Sequence, residues 1–319
     1  MNALLSRRGF ALLSLAAALV YPWVVPNDYF VYAMALAYIF AIAALGLNLI
    51  LGYTGHLNLA HAAFMAIGAY TVGILTVDYH VPYWIAFALA GVVSAAFGFL
   101  AGLVSLRLKH HYFSIFTLCI GIIVYLVIEK ADWLTHGVVG IIGIPAPPGI
   151  GPIRFESTFA QYHLVLAFLV LGLVLMDRIV HSLHGRAFMA IRNGEPLAEA
   201  LGVPLMRTKV ISFVISVAYA GYAGALYAGF VRFIGPGIAS EANAFDMIAY
   251  ILVGGLGTLS GPVIGTIILS WATQSLQFLQ DYRLLVFGPL LILLVMFLPK
   301  GIVGTIKARE ARVAGRRAA

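Results

Sequence analysis

Long apolar segments with few charges recur along almost the whole chain, and they constrain the fold more than any other feature. A membrane-spanning helix needs about 20 consecutive apolar residues. Hydrophobic residues make up 62% of the 319 positions and charged residues 10%, whereas a soluble domain is about 25% charged. This composition excludes a water-soluble enzyme, a disordered protein and a secreted disulfide scaffold. The apolar runs are continuous rather than alternating, which argues against a transmembrane barrel.

The sequence therefore predicts an all-α polytopic membrane protein, with one transmembrane domain over residues 1–319 and about ten spans, some of them broken or re-entrant. The predicted spans lie near 9–25, 29–51, 61–77, 83–106, 112–129, 161–181, 208–231, 244–257, 261–280 and 283–298. Two of them, 244–257 and 283–298, are short for a free-standing span. Short segments interrupted by Gly or Pro are typical of the broken helices around a transport pathway.

The positions of the basic residues predict the orientation. With the amino terminus inside, 15 of the 19 Lys and Arg residues fall on the cytoplasmic side, many of them in a basic tail at about 300–319. The positive-inside rule then places both termini in the cytoplasm. The basic excess is explained by orientation and by attraction to membrane lipid, so it gives no argument for nucleic-acid binding.

The segment at 45–70 combines polar side chains with glycines at the end of an apolar helix. Glycines and amides at a helix break expose backbone groups, and such groups commonly line the substrate pathway of a transporter. A zwitterion could bind there without a charged side chain, because helix N-termini favour carboxylates and carbonyl ends favour ammonium groups. The alternative is a tight turn in which Asn caps a helix and Gly permits close packing. The candidate pathway residues are Asn48, Gly52, Thr54, Gly55, Asn58 and His61.

The predicted cytoplasmic segment at about 182–207 is helical and amphipathic, whereas the Pro- and Gly-rich outer loop at about 130–160 is expected to be extended and to lie on the surface. Pro196 suits the first turn of a helix and Gly202 suits its C-terminal cap, so 195–201 is predicted as a short helix. Such a helix could bind lipid headgroups or a groove on a partner.

Small residues at helical spacing predict sites of close helix packing in lipid. They are Gly98, Gly102, Gly221, Gly224, Gly261 and Gly265. A weak internal echo also relates Gly52-x-x-Gly55-x-Leu57 to Gly254-x-x-Gly257-x-Leu259, each just after an apolar span.

The sequence contains no catalytic constellation and no metal-ligand cluster. It also contains no phosphate-binding loop, because no Gly-Lys dipeptide occurs in it. Ionisable residues, which proton-coupled carriers need as relays, are almost absent from the predicted spans. A pathway of this kind must either be passive or be driven by another protein.

These segments together resemble the permease subunits of ATP-binding-cassette (ABC) importers for branched-chain amino acids, of the LivM type. The resemblance covers nearly the whole chain. It is strongest at 45–70, at 185–202 and at two Gly-rich runs, 218–228 and 253–265. Urea and short-chain amide permeases look similar in these segments.

The resemblance implies a bacterial inner-membrane assembly. This chain would join a second homologous permease subunit, two cytoplasmic ABC ATPase subunits that bind ATP with Mg, and an extracytoplasmic substrate-binding protein. It implies that the cytoplasmic segment couples to the ATPase, through Arg186, Arg192, Glu195, Glu199 and Gly202. The general ABC loop has Gly further from its Glu-Ala pair than this chain does, so the match is to the branched-chain variant of the loop.

Three competing interpretations remain open at this point. One is a permease for urea or a short-chain amide, and another is a passive channel for a small neutral solute. The third, a membrane-embedded enzyme, lacks a credible acid–base or nucleophile set.

Overall fold

The computed structural model describes residues 2–25, 27–108, 110–149, 154–275 and 301–305. The predicted span at 283–298, the end of the span at 261–280 and most of the basic tail lie outside these residues. The described helices are α1 (Asn2–Val24), α2 (Asp28–Asn48), α3 (His61–Val77), α4 (Tyr83–Ser105), α5 (His110–Lys130), α6 (Asp132–Thr135), α7 (Thr158–Val180), α8 (Leu183–Asn193), α9 (Glu195–Ala200), α10 (Leu205–Val231), α11 (Glu241–Gly254) and α12 (Gly261–Ser275).

Side-chain caps explain why several helices begin where they do. Asn27 accepts a hydrogen bond from the Tyr29 amide at 2.9 Å, and Ser157 accepts one from the Ala160 amide at 3.2 Å. Each cap satisfies an N–H group that has no partner within the helix. Each predicted span that falls within the described residues coincides with a helix, and most helix ends lie within a few residues of the prediction.

Among the described residues, five helices are long and apolar enough to cross a membrane. They are Asp28–Tyr53, Tyr83–Ser105, His111–Lys130, Thr158–Val180 and Leu205–Val231. The apolar stretches Leu12–Val24, His61–Val77 and Gly261–Thr273 are shorter. This pattern establishes a multi-pass, all-α membrane protein, and the figure of ten spans stays a prediction.

Helix α10 lies at the centre of the bundle and packs against α2, α3 and α4. Its small residues explain the position, because a Cβ atom added at Gly68 of α3 would overlap the backbone of Gly221, and one added at Gly224 would overlap the backbone of Met65. Small residues favour helix association in lipid because they let two backbones approach closely and pack.

The other small residues singled out from the sequence also lie at contacts within this chain. Gly98 and Gly102 of α4 face Val217 and Phe213 of α10. Gly261 and Gly265 allow α12 to pack directly against the end of α11, where a Cβ atom added at Gly265 would overlap the Tyr250 carbonyl.

The loop at 130–160 is more structured than the sequence predicts. It contains α6, a 3₁₀ turn at Gly137–Val139 and a strand β1 (Ile141–Ile142), which pairs antiparallel with β2 (Phe233–Ile234) after α10. Residues 143–149 then have no regular secondary structure. The expectation of an extended loop is therefore wrong for α6, and it stays a prediction for residues 143–149. A tertiary pairing with a segment about 90 residues away cannot be inferred from local composition.

We expect Gly68→Ala to destabilise the bundle by about 1–3 kcal/mol, because the added methyl group meets rigid backbone and forces α3 away from α10. Thermal unfolding of the purified protein in detergent measures the effect. Gly9→Ala in α1 is the matched control, since nothing lies within 4 Å of a Cβ atom there. Equal thermal stability of the two variants would contradict this account of the packing.

Candidate functional site: two glycine breaks and the helices beneath them

Helix α2 does not end in a regular turn but widens into a π-helical segment, Leu49–Tyr53. The Thr54 amide donates to the Leu49 carbonyl at 3.2 Å, and the His56 amide donates to the Ile50 carbonyl at 2.9 Å. The chain then runs without regular structure until α3 begins at His61. We call residues 49–60 the first break.

A second break, residues 255–260, separates α11 from α12. Gly55 in the first break and Gly257 in the second both have positive φ, 86° and 70°. These two glycines occupy equivalent positions in the internal echo. The backbone conformation there is one that glycine adopts without strain.

Asn48 joins the two breaks. Its side-chain oxygen accepts a hydrogen bond from the Gly257 amide at 2.9 Å, and its side-chain nitrogen donates to the Thr258 carbonyl at 2.9 Å. The residue is only 1% exposed. Both ends of the amide are therefore used inside the protein, which makes Asn48 a connection between helices.

Glycine at position 52 lets the two breaks approach each other. A Cβ atom added at Gly52 would be 2.6 Å from the Gly257 nitrogen and would overlap the Asn48 side chain. We call the contact of Asn48 and Gly52 with Gly257 and Thr258 the junction. The internal echo thus relates two segments that touch.

Asn58 and His61, at the start of α3, each have one side-chain polar atom without a hydrogen-bond partner among the described residues. Asn58 accepts from the Ala60 amide at 3.0 Å, and the Nε2 atom of His61 lies 2.8 Å from the Ala43 carbonyl. Since a carbonyl oxygen only accepts, Nε2 carries a proton, and Nδ1 of the neutral ring is an acceptor. Within the described part of the chain, Asn58 Nδ2 and His61 Nδ1 are buried and have no hydrogen-bond partner.

Thr54 has a local role among the predicted pathway residues. Its hydroxyl donates to the Leu49 carbonyl at 3.2 Å, within the end of the helix. The predicted set therefore divides into three kinds of residue: Asn48 and Gly52 at the junction, Thr54 and Gly55 in the backbone turn, and Asn58 and His61 with open polar atoms.

Helices α8 and α9 lie next to the breaks, at the same end of the bundle. The short helix predicted at 195–201 is confirmed as Glu195–Ala200. Pro196 lies in its first turn, and Gly202 has φ 84° just past its end. Ala198 is buried, whereas Leu197 and Leu201 are 64% and 74% exposed. The helix therefore presents apolar side chains on its outer surface.

The apolar face predicted for the segment is split between two surroundings. Phe188 and Ile191 of α8 are buried against the bundle, while Leu197 and Leu201 face outward. Arg186, Glu199 and Gly202 are also exposed.

Glu195 points toward the membrane helices and lies in a small charge network. Its Oε1 atom is 2.6 Å from Nζ of Lys209 in α10 and 3.4 Å from Nε2 of His56 in the first break. The Lys209 side chain is 8% exposed. A lysine this buried needs a counter-ion. The Glu195–Lys209 pair therefore fixes α9 to the N-terminal end of α10.

Arg192, near the C-terminal end of α8, reaches the junction. Its Nη1 atom donates a hydrogen bond to the Gly52 carbonyl. A Cβ atom added at Gly257 would lie 2.6 Å from the same Nη1 atom, and one added at Gly55 would lie 3.3 Å from Arg192 Cγ. One side chain thus touches glycines of both breaks.

Sequence reasoning missed Lys209, His56, Gly257 and Thr258 as members of this site. Lys209 had a detectable signal, because it is a cation at the start of a predicted span. Thr258 had none, since its contribution is a backbone carbonyl that only the fold brings to Asn48.

The geometry can be compared with known proteins. Residues 29–295 match the family described as "Branched-chain amino acid transport system / permease component". The chain is 31% identical to the high-affinity branched-chain amino acid transport system permease protein LivM of Salmonella typhimurium and to that of Escherichia coli. Each alignment covers 92% of this chain and 74% of the relative. It is also 27% identical to the LivH permease protein of Escherichia coli, over 83% of this chain and 91% of the relative.

These relatives are transport permeases and not enzymes. The resemblance found in the sequence is therefore confirmed over most of the chain. The protein belongs to the branched-chain amino acid transport system permease family, as a LivM-type permease.

Proposed function

We propose that this protein is the LivM-type permease subunit of an ATP-driven importer, and that it forms part of the translocation pathway for branched-chain amino acids. The observation that carries the proposal is family membership over residues 29–295 combined with an exposed apolar helix, α9, directly beneath the helix breaks. The sequence has no phosphate-binding loop, so in this proposal the energy for transport comes from partner ATPases.

The outer surface of α9 is suited to a protein partner. Leu197 and Leu201 stand exposed beside the charged Glu199. The Glu195–Lys209 pair fixes the helix from the other side. An apolar pair on a rigid helix is the usual anchor of a helix-in-groove interface. We assign this surface to the ATPase.

The two unpaired polar atoms at the start of α3 are suited to a transient contact with an amino acid. Asn58 Nδ2 offers a donor for a carboxylate, and His61 Nδ1 offers an acceptor for an ammonium group. Two neutral groups bind weakly, so the substrate can leave again. Specificity is then set mainly by an extracytoplasmic binding protein that delivers the substrate.

The partner permease is a second homologous subunit. Similarity to both LivM and LivH relatives supports a pair of different chains built on one fold. The urea or amide permease and the passive channel remain the alternatives to be tested.

We expect the double substitution Leu197→Asp and Leu201→Asp to abolish co-purification of the ATPase subunits while the permease still folds, because two charges enter an apolar contact and no buried residue changes. Pull-down from gently solubilised membranes measures the retained ATPase. Tyr79→Asp is the matched control: Tyr79 is 69% exposed and follows α3 at the opposite end of the bundle. Undiminished ATPase recovery from the double variant would remove α9 from the interface.

Orientation can be tested with single cysteines in a Cys119→Ala background. A membrane-impermeant thiol reagent should label Val138→Cys in cells whose outer membrane has been made permeable. It should label Leu183→Cys, at the start of α8 where the side chain is 74% exposed, only after the inner membrane is opened. The opposite pattern would reverse the proposed topology, in which the charge asymmetry places α8 and α9 in the cytoplasm.

Assembly and substrate can be tested with tagged chain purified in mild detergent and analysed by mass spectrometry. We expect two ATPase subunits and a second permease, and ATP-dependent uptake of leucine by the complex with its binding protein in liposomes. Uptake of urea instead of leucine would establish the amide alternative. Recovery of this chain alone, active without ATP, would establish the passive channel.

A further inference from the structure

The junction is contacted by Arg192 of α8. This side chain touches Gly52 and Gly55 of the first break and Gly257 of the second. Asn48 then links the two breaks directly, through two hydrogen bonds of 2.9 Å. The helix that carries Arg192 is therefore in mechanical contact with both breaks at once.

The position of Arg192 has a clear electrostatic basis. The last carbonyl groups of a helix lack N–H partners and carry partial negative charge, which a cation stabilises. Gly52 lies in the π-helical end of α2, where its carbonyl accepts the Arg192 hydrogen bond. Because the contact is a single hydrogen bond on a long side chain, it can be broken and re-formed without unfolding α2.

Helices α8 and α9 are tied to the bundle at two places. Glu195 binds Lys209 at the N-terminal end of α10, and Arg192 binds Gly52 at the junction. Only Gly194 separates the two helices. A force applied to α9 can therefore pivot α8 about the Glu195–Lys209 pair and displace Arg192.

We propose that Arg192 is a positioning residue that transmits movement of α8 and α9 to the two helix breaks, while Asn48 makes the breaks move together. This rests on the proposed function, because the force on α9 comes from the ATPase. It adds a specific route from the docking helix to the transport pathway, through one guanidinium group and one amide.

The test is hydrogen–deuterium exchange of the complete purified complex, with and without a non-hydrolysable ATP analogue. Peptides covering 195–202, 49–60 and 255–260 are compared. In the unaltered complex we expect protection of 195–202 by the ATPase, and a nucleotide-dependent change of exchange in both breaks. The Gly257 amide reports directly, since it donates to Asn48.

In Arg192→Gln we expect the nucleotide-dependent change to disappear from both breaks while 195–202 stays protected. Substrate transported per ATP hydrolysed should fall at least about fivefold, the lower range of an allosteric coupling. Arg192→Lys keeps a cationic donor and should retain most of the response. Arg178→Gln, which alters an exposed arginine at the end of α7, is the control and should behave as the unaltered complex does.

Asn48→Ala gives an independent test should Arg192→Gln not fold. It removes the Asn48 link but leaves the Arg192 contacts, so the response should persist at 49–60 and should fall at 255–260, where only the contact of Arg192 with Gly257 remains. The proposal is overturned if Arg192→Gln responds as the unaltered complex does, if Arg192→Lys is as impaired as Arg192→Gln, or if Asn48→Ala keeps the response at 255–260 at the size seen in the unaltered complex. Absence of ATPase protection at 195–202 in the unaltered complex would instead refute the proposed function, and the proposed route with it.

Discussion

Direct contact between helix backbones around α10 is the constraint on which the rest of the structure depends. Gly68 and Gly224 bring α3 against α10, and Gly221 and Gly98 bring α4 against the same helix. In a membrane, apolar side chains gain nothing by contacting each other rather than the equally apolar lipid chains. Small residues therefore decide which helices pack together. Because α2, α3 and α10 are fixed in this way, the two breaks at the end of the bundle are fixed too.

The breaks combine rigid and releasable contacts. Glycines allow backbones to touch at the junction, and such contacts do not depend on any side chain that could swing away. The contact of Arg192 with the Gly52 carbonyl is one directional hydrogen bond of a side chain that can reach water, so it can be lost at modest cost. A transport protein needs this combination, since its bundle must stay packed while its pathway changes between discrete arrangements.

Much of the fold could be predicted because lipid makes the sequence signal strong. The helices appear as long apolar runs, and the short helix at 195–201 is marked by Pro196 and Gly202. The helix at Asp132–Thr135 was missed, because four residues within a Gly- and Pro-rich loop carry too little periodicity. The pairing of β1 with β2 was missed because strands of two residues have no pattern of their own.

The sequence alone determined the class of protein, the helical character of the spans, the family and the short helix at 195–201, because each depends on local composition, spacing or a contiguous motif. Only the tertiary structure decided what the polar residues do. Asn48, expected in the pathway, uses both ends of its amide to hold Gly257 and Thr258. Glu195, expected to face a partner, binds Lys209. Hydrogen bonds and ion pairs reach only a few ångströms, so their partners are set by which helices the glycines allow to touch.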